Sequence, residues 1–244
     1  MRLFIVYPLA SLSQQGAHIA PECKHVLAPR DLVPLLSFMI LRAQCRYCRK
    51  HISWQYPMVE FATGIAFLLA YLHFSLADAS GLVHGADAFR LMLYWIYTAF
   101  LIVIFVYDLK YYLILDSVII PASIIALLGG LLLGYSIISM LLAGIAAAGF
   151  FALQFFVSRG RWIGGGDIRL GFLMGLMLSW PNVVVALMVS YVLGSIIAIA
   201  LVVMGKKQFG SQVPFGTFLT LGTYLVLLYG PMIVRWYWSF TYAS

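Results

Sequence analysis

The stretch Asn182–Met204, NVVVALMVSYVLGSIIAIALVVM, decides the fold class: it runs 23 residues without a charged side chain. A helix needs roughly 20 mostly apolar residues to cross the hydrocarbon core of a bilayer, about 30 Å thick. Working outward, Met58–Ala77, Leu91–Tyr107, Ser117–Tyr135, Ile137–Val157 and Phe215–Val234 read the same way, and Ile168–Trp180 forms a shorter, glycine-rich seventh candidate. The composition agrees. Of 244 residues, 64% are apolar and 9% charged, against about 45–50% and about 25% in soluble domains. An ordinary soluble globule and a disordered chain are excluded, and three cysteines are too few for a disulfide framework. The expected fold is an all-α polytopic membrane protein of about seven transmembrane helices. These occupy residues 58–244, behind a polar cytoplasmic domain at 1–57.

The charges orient this layout. The chain carries 15 Lys and Arg against 8 Asp and Glu, a net +7. Thirteen of the 15 fall in residues 1–57 or in alternate connections (Lys110; Arg159, Arg161 and Arg169; Lys206 and Lys207), and only Arg90 and Arg235 fall on the other side. Cytoplasmic loops collect Lys and Arg, so the excess reads as topology, with no nucleic-acid partner. The expected location is a bacterial inner membrane, multi-pass, with the N-terminus cytoplasmic and the C-terminus outside. The short fifth span must cross for this pattern to hold.

The few acids are the next signal. A carboxylate at mid-bilayer costs about 2.5–3.5 kcal/mol on insertion scales. Asp108, Asp116 and Asp167 avoid most of that by lying at the cytoplasmic ends of spans two, three and five. They therefore share one side and one depth. Read alone, Asp167 is either a helix cap after a turn or a functional acid, Asp108 a solvated helix end or a functional acid, and Asp116 a cap before an apolar run.

The polar domain holds Cys45-Arg-Tyr-Cys48 among Arg42, Arg46, Arg49, Lys50 and His51. Two thiols on one tight turn are a common half of a zinc site. Cys23 is upstream, with Ala20 where a second pair would need cysteine, which leaves His18, Glu22, His25 and His51 as possible fourth ligands. The other reading is a basic loop on anionic headgroups. Leu32–Leu41 is apolar but ten residues long, too short to span; it reads as interfacial or packed on the bundle.

Several of these segments together resemble the type IV prepilin peptidases, intramembrane aspartyl proteases with a G-x-G-D signature. Gly164-Gly165-Gly166-Asp167-Ile-Arg169-Leu170 resembles their G-x-G-D-x-K-L, with Arg169 in the place of lysine. Asp108 to Asp116 looks like D-x-x-x-x-x-[IL]-P-D, and Val213-Pro214-Phe215-Gly216-Thr217 like I-P-F-G-P. Asp31-Leu-Val-Pro34, Cys45-x-x-Cys48 and Tyr56-Pro57-Met-Val-Glu60 resemble the zinc-binding cytoplasmic domain. The departures are Ala20, Leu115 for proline, and Thr217 for proline. Members also open with a further helix bearing G-S-F-x-N, so the expected helix count is one short of the family's.

The resemblance implies cleavage of a basic leader from prepilin or pseudopilin precursors at the cytoplasmic face, with Asp108 and Asp167 as the catalytic pair and no cofactor for proteolysis. It implies substrate positioning by Gly164, Gly165, Gly166, Asp116, Arg169, Pro214, Phe215 and Gly216. The glycines would allow positive φ and close approach of an extended substrate. It also implies zinc on Cys23, Cys45 and Cys48. A second activity, N-methylation of the new N-terminus with S-adenosylmethionine, is associated with Glu60. Two rival readings are a non-catalytic prepilin-binding assembly factor and an ion-coupled transporter, the latter expected to place its acids near midplane.

Overall fold

The computed structural model describes residues 23–31, 33, 35–75, 85–206 and 213–242. Among these the regular elements are all helices, and an isolated bridge joins Gln44 to His51. After a short 3-10 turn at Pro29–Asp31 come α1 (Leu36–Ile40), α2 (Gln55–Ser75), α3 (Gly85–Tyr111), α4 (Asp116–Leu132), α5 (Ile137–Ser158), α6 (Gly165–Leu178), α7 (Asn182–Val203) and α8 (Phe215–Tyr242). Five of them, α2, α3, α5, α7 and α8, are long and apolar enough to cross a membrane. The chain is a polytopic membrane protein.

One expected span, Ser117–Tyr135, comes out shorter, and the glycine-rich one is as short as expected. α4 has 17 residues and α6 has 14. The reason for α6 is its position. Nine of its residues are buried, because it packs against α5, α4 and α8. A helix enclosed by other helices needs neither the length nor the all-round hydropathy of one facing lipid. Small residues make the enclosure tight: a Cβ on Gly175 would overlap the backbone of Gly144, and one on Gly171 would press on Phe151. Close approach through glycine is a usual way for membrane helices to pack.

α7 shows the opposite case. It buries only Val183, Ala186, Ser190 and Gly194, a stripe at helical spacing. That stripe meets α8, where a Cβ on Gly222 would strike Ser190 Oγ. Its Val192, Ile196 and Ile199, like Leu142, Ile145 and Leu153 of α5, are exposed, as lipid-facing residues are. Hydrogen bonds add a few fixed points inside the bundle. Tyr97 donates to the Ala126 carbonyl (3.2 Å), Trp95 Nε1 to Phe67 (3.1 Å) and Tyr224 to Ala66 (2.6 Å).

The chain divides into two compact units, residues 1–64 and 65–244. In the first, Cys45-x-x-Cys48 sits in a knuckle closed by Cys45 N–H to Lys50 O (2.9 Å), Arg49 N–H to Cys45 O (2.9 Å) and Ile52 N–H to Ala43 O (2.7 Å). His18, Ala20, Glu22, Leu32 and Pro34 lie outside the described residues, as does Lys207.

Two capping expectations are corrected. α6 starts three residues before Ile168, so Gly164 is its N-cap and Asp167 lies inside the first turn. α4 begins at Asp116 with Leu115 as N-cap and no side-chain cap bond; the Asp116 carboxylate pairs with Arg169 instead.

Candidate active site

The end of α3 and the starts of α4, α6 and α8 meet at one end of the bundle. Asp108 lies in the last turn of α3 and is buried. Its Oδ2 accepts a hydrogen bond from the Thr217 N–H at 2.8 Å, and the Gly216 N–H also donates to this carboxyl. Both amides belong to the first turn of α8, where backbone N–H groups lack helical partners and the helix dipole favours an anion. Glycine is needed beside them: a Cβ on Gly216 would lie 2.8 Å from Asp108 Oδ2 and 2.9 Å from its Cγ. The Thr217 hydroxyl turns away, to the Pro214 carbonyl (2.7 Å), which fixes the bend that starts α8.

Asp167 is likewise buried. Its Oδ2 accepts from the Gly164 N–H at 3.0 Å, while its own N–H donates to the Gly164 carbonyl at 3.1 Å. This reciprocal pair closes the first turn of α6 in the manner of a capping box. The two carboxyl groups are close enough to feel each other's charge.

Ile114, in the link between α3 and α4, joins the two halves. A Cβ on Gly166 would lie 2.9 Å from Ile114 Cβ, and one on Gly216 3.0 Å from Ile114 Cδ1. The glycine beside each aspartate thus faces the same isoleucine. None of Gly164, Gly165 and Gly166 takes a positive φ. Gly166 is required by contact, whereas Gly165 faces open space. Phe215 packs edge-on against Tyr191 (4.9 Å between centroids) and Phe151 (6.1 Å), and Tyr191 donates to Gln154 Oε1 at 2.9 Å. Asp116 and Arg169 form an ion pair, each about half exposed, that ties α4 to α6.

The structure brings Asp108, Asp167, Gly166 and Gly216 into one neighbourhood. Sequence reasoning treated Thr217 only as a departure from a pattern and did not single out Ile114, Tyr191 or Gln154. A main-chain donor gives no side-chain signal, and Ile114 fills the [IL] position of the resembled D-x-x-x-x-x-[IL]-P-D segment with nothing in that pattern to show that it packs on both glycines.

In the N-terminal unit the Cys23, Cys45 and Cys48 sulfurs lie within 4.8 Å of one another, with Cys23 and Cys45 4.0 Å apart. Sulfurs around a tetrahedral zinc ion stand about 3.8 Å apart, so the donors and their spacing suit a soft metal. Neither described histidine joins them: the His25 ring stacks on Tyr47 (3.7 Å) and His51 Nδ1 faces the Ile52 carbonyl (3.2 Å). Asp31 clamps the knuckle, accepting from Arg46 Nε (2.6 Å), the Tyr47 hydroxyl (2.9 Å) and the Ala28 N–H (3.1 Å). Burial alone would raise the Asp31 pKa, but these partners outweigh it and hold the carboxyl below its ordinary range. Amide hydrogens of Cys48 and Tyr47 pull the Cys45 thiol down. At Cys48 the Lys50 amide pulls down, burial and the two neighbouring sulfurs push up, and the balance is upward. Glu60 accepts from the Leu35 N–H at 2.9 Å.

Comparison with known proteins gives this arrangement a family. The family model described as the Bacterial Peptidase A24 N-terminal domain matches residues 4–74, and that of the Type IV leader peptidase family matches residues 95–199. The Prepilin leader peptidase/N-methyltransferase of Aeromonas salmonicida is 31% identical over 225 residues, covering 90% of this chain and 73% of that protein. The chain belongs to the type IV leader peptidase family. Other members of the same name include those of Bacillus subtilis (29% identical, 89% of this chain and 83% of that protein) and Pseudomonas aeruginosa (25%, 90% and 74%). No solved structure matches this leader peptidase. The region matched by the peptidase model holds both Asp108 and Asp167.

Proposed function

We propose that this leader peptidase removes the basic leader from prepilin-like or pseudopilin precursors at the cytoplasmic face of the inner membrane, with Asp108 and Asp167 as its catalytic dyad. The observation that carries this is the pair itself: two buried carboxyls, on different helices at one end of the bundle, each held through Oδ2 by a backbone N–H. Neither is neutralised by a basic side chain among the described ion pairs. Lys110, Arg159, Arg161 and Arg169 lie in or beside the connections at that end, which supports its facing the cytoplasm, with the N-terminus inside and the C-terminus outside.

The chemistry follows from two acids sharing a site. Like charges in close contact retain a proton between them, and the pair titrates as a unit. The ionised carboxylate takes a proton from water as the oxygen attacks the scissile carbonyl. The protonated one donates to the carbonyl oxygen, and a proton is then delivered to the leaving nitrogen. The open face at Gly165 gives an extended substrate a place beside Asp167, and the ion pair of Asp116 and Arg169 borders it.

Cys23, Cys45 and Cys48 would hold zinc. Bound there, the ion would cross-link the knuckle to the upstream chain, a structural role. Relatives are named for N-methyltransferase activity as well. In this chain that step would use S-adenosylmethionine at the N-terminal unit, where Glu60 holds the start of α1.

Co-expression with a type IV prepilin tests the reading. Leader loss is expected, and it is abolished by Asp108→Ala and by Asp167→Ala at equal membrane levels. Cleavage that survives either substitution overturns the dyad. Absence of cleavage with every prepilin tried favours a non-catalytic assembly role.

A further inference from the structure

The N-terminal unit carries an apolar face that proteolysis does not use. α1 buries none of its residues. Met39 is 74% exposed, Ile40 66% and Leu36 55%. Trp54 is 64% exposed, and Phe38 meets it edge-on at 5.0 Å. Contiguous apolar surface of this kind marks an interaction site.

The depth of this face is fixed within the unit. The Leu35 N–H, immediately before α1, donates to the Glu60 carboxylate at 2.9 Å. Glu60 lies in the second turn of α2, which continues to Ser75 and is apolar enough to cross a bilayer. α1 therefore lies beside the first turns of a crossing helix, at the level where a membrane begins. Five residues are too few to span, and tryptophan favours the interface.

The charge around the face selects the occupant. Residues 23–57 hold six basic side chains, Lys24, Arg30, Arg42, Arg46, Arg49 and Lys50, against one acid, Asp31. Arg42 follows α1 directly. A neighbouring protein surface would need only apolar complementarity, whereas an anionic leaflet attracts a basic segment beside its apolar anchor.

We propose that α1 and Trp54 rest in the headgroup layer of the protein's own membrane, drawn there by anionic phospholipid. The face acts as a float that holds the cysteine knuckle at the bilayer surface. This reading is independent of the dyad.

The test uses the full chain in nanodiscs of phosphatidylcholine with and without phosphatidylglycerol. Each disc carries a trace of phosphatidylcholine bearing a photoactivatable diazirine near its headgroup, and adducts are mapped by mass spectrometry. Labelling of Met39, Ile40 and Trp54 is expected, rising about threefold or more when phosphatidylglycerol is present, while lipid-facing Leu142 of α5 labels equally in both. Arg42→Glu with Arg49→Glu should abolish the rise and leave Leu142 unchanged. An unlabelled α1 overturns the proposal and assigns the face to a protein surface, either the rest of this chain or a second copy. Labelling that ignores lipid charge also overturns it.

Discussion

The backbone N–H of Thr217 donates to Oδ2 of Asp108 across 2.8 Å, joining residues 109 positions apart. The resembled P-F-G-P motif places proline at this position, and proline has no N–H. The departure thus supplies a donor that the motif lacks. Thr217→Pro sits in the first turn of α8, where proline is tolerated, so folding should persist. A hydrogen bond to a charged group contributes about 1.5–3 kcal/mol, and the Gly216 N–H remains. The expected result is a fall of about tenfold in kcat with KM unchanged, while Thr217→Ala, which keeps the N–H and loses only the hydroxyl bond to Pro214, falls less. Equal kcat for the proline and alanine variants would show that Gly216 alone holds Asp108.

Glycine at 216 and at 165 should behave oppositely. A Cβ at 216 meets the Asp108 carboxyl, whereas one at 165 meets nothing within 4 Å. Gly216→Ala must displace the carboxylate from its amides, and misplacement of about 1 Å in a catalytic group costs on the order of a hundredfold in rate. Gly165→Ala should leave thermal stability unchanged or slightly raised, since alanine favours helix. If an extended substrate lies there, its effect appears as a raised KM. Kinetics on a prepilin peptide, with thermal unfolding of both variants, checks the pair.

The lipid-facing helices were legible in sequence because hydropathy is all they need. α5 and α7 end within one residue of the apolar runs that predicted them. The ends of α3 and α8 were not. α3 begins at Gly85, six residues before the apolar run, and contains the Asp87–Arg90 ion pair. α8 continues past Val234 through Arg235, Trp236 and Tyr237. Helices extend through the headgroup layer, and a criterion set by hydrocarbon thickness stops short. α6 was faint because a central helix buries its surface on protein. Asp108 and Asp167 stood out as rare acids at span ends, but what holds them is main-chain amide, to which composition and spacing are blind.

Asp31 makes the cysteine knuckle sensitive to acid. Its carboxyl is held below the ordinary range by Tyr47, Arg46 and Ala28 despite burial, so the unfolded segment binds the proton more readily than the folded one. The contribution is fully present above the unfolded value, about 3.9, and is lost as pH falls through the lower folded value. In protein stripped of metal, protection of the amides over residues 43–52, taken relative to their intrinsic exchange at each pH, should therefore stay high at neutral pH and fall below about pH 4. Asp31→Asn should exchange quickly already at neutral pH and show a flatter profile. Matching profiles for the two proteins would remove Asp31 from the clamp.

The ion pair of Asp116 and Arg169 joins α4 to α6 at half-exposed positions. Solvent screens such pairs, and exposed examples contribute about 0.2–1 kcal/mol. Asp116→Asn and Arg169→Gln should each lower stability by no more than that, and the double variant should cost no more than the larger single one. The same cycle on kcat separates a strap from a recognition site. If the pair only holds α4 beside α6, both singles and the double reduce cleavage alike. If Asp116 also meets the basic leader, Asp116→Asn raises KM while Arg169→Gln does not, and adding salt erases the difference.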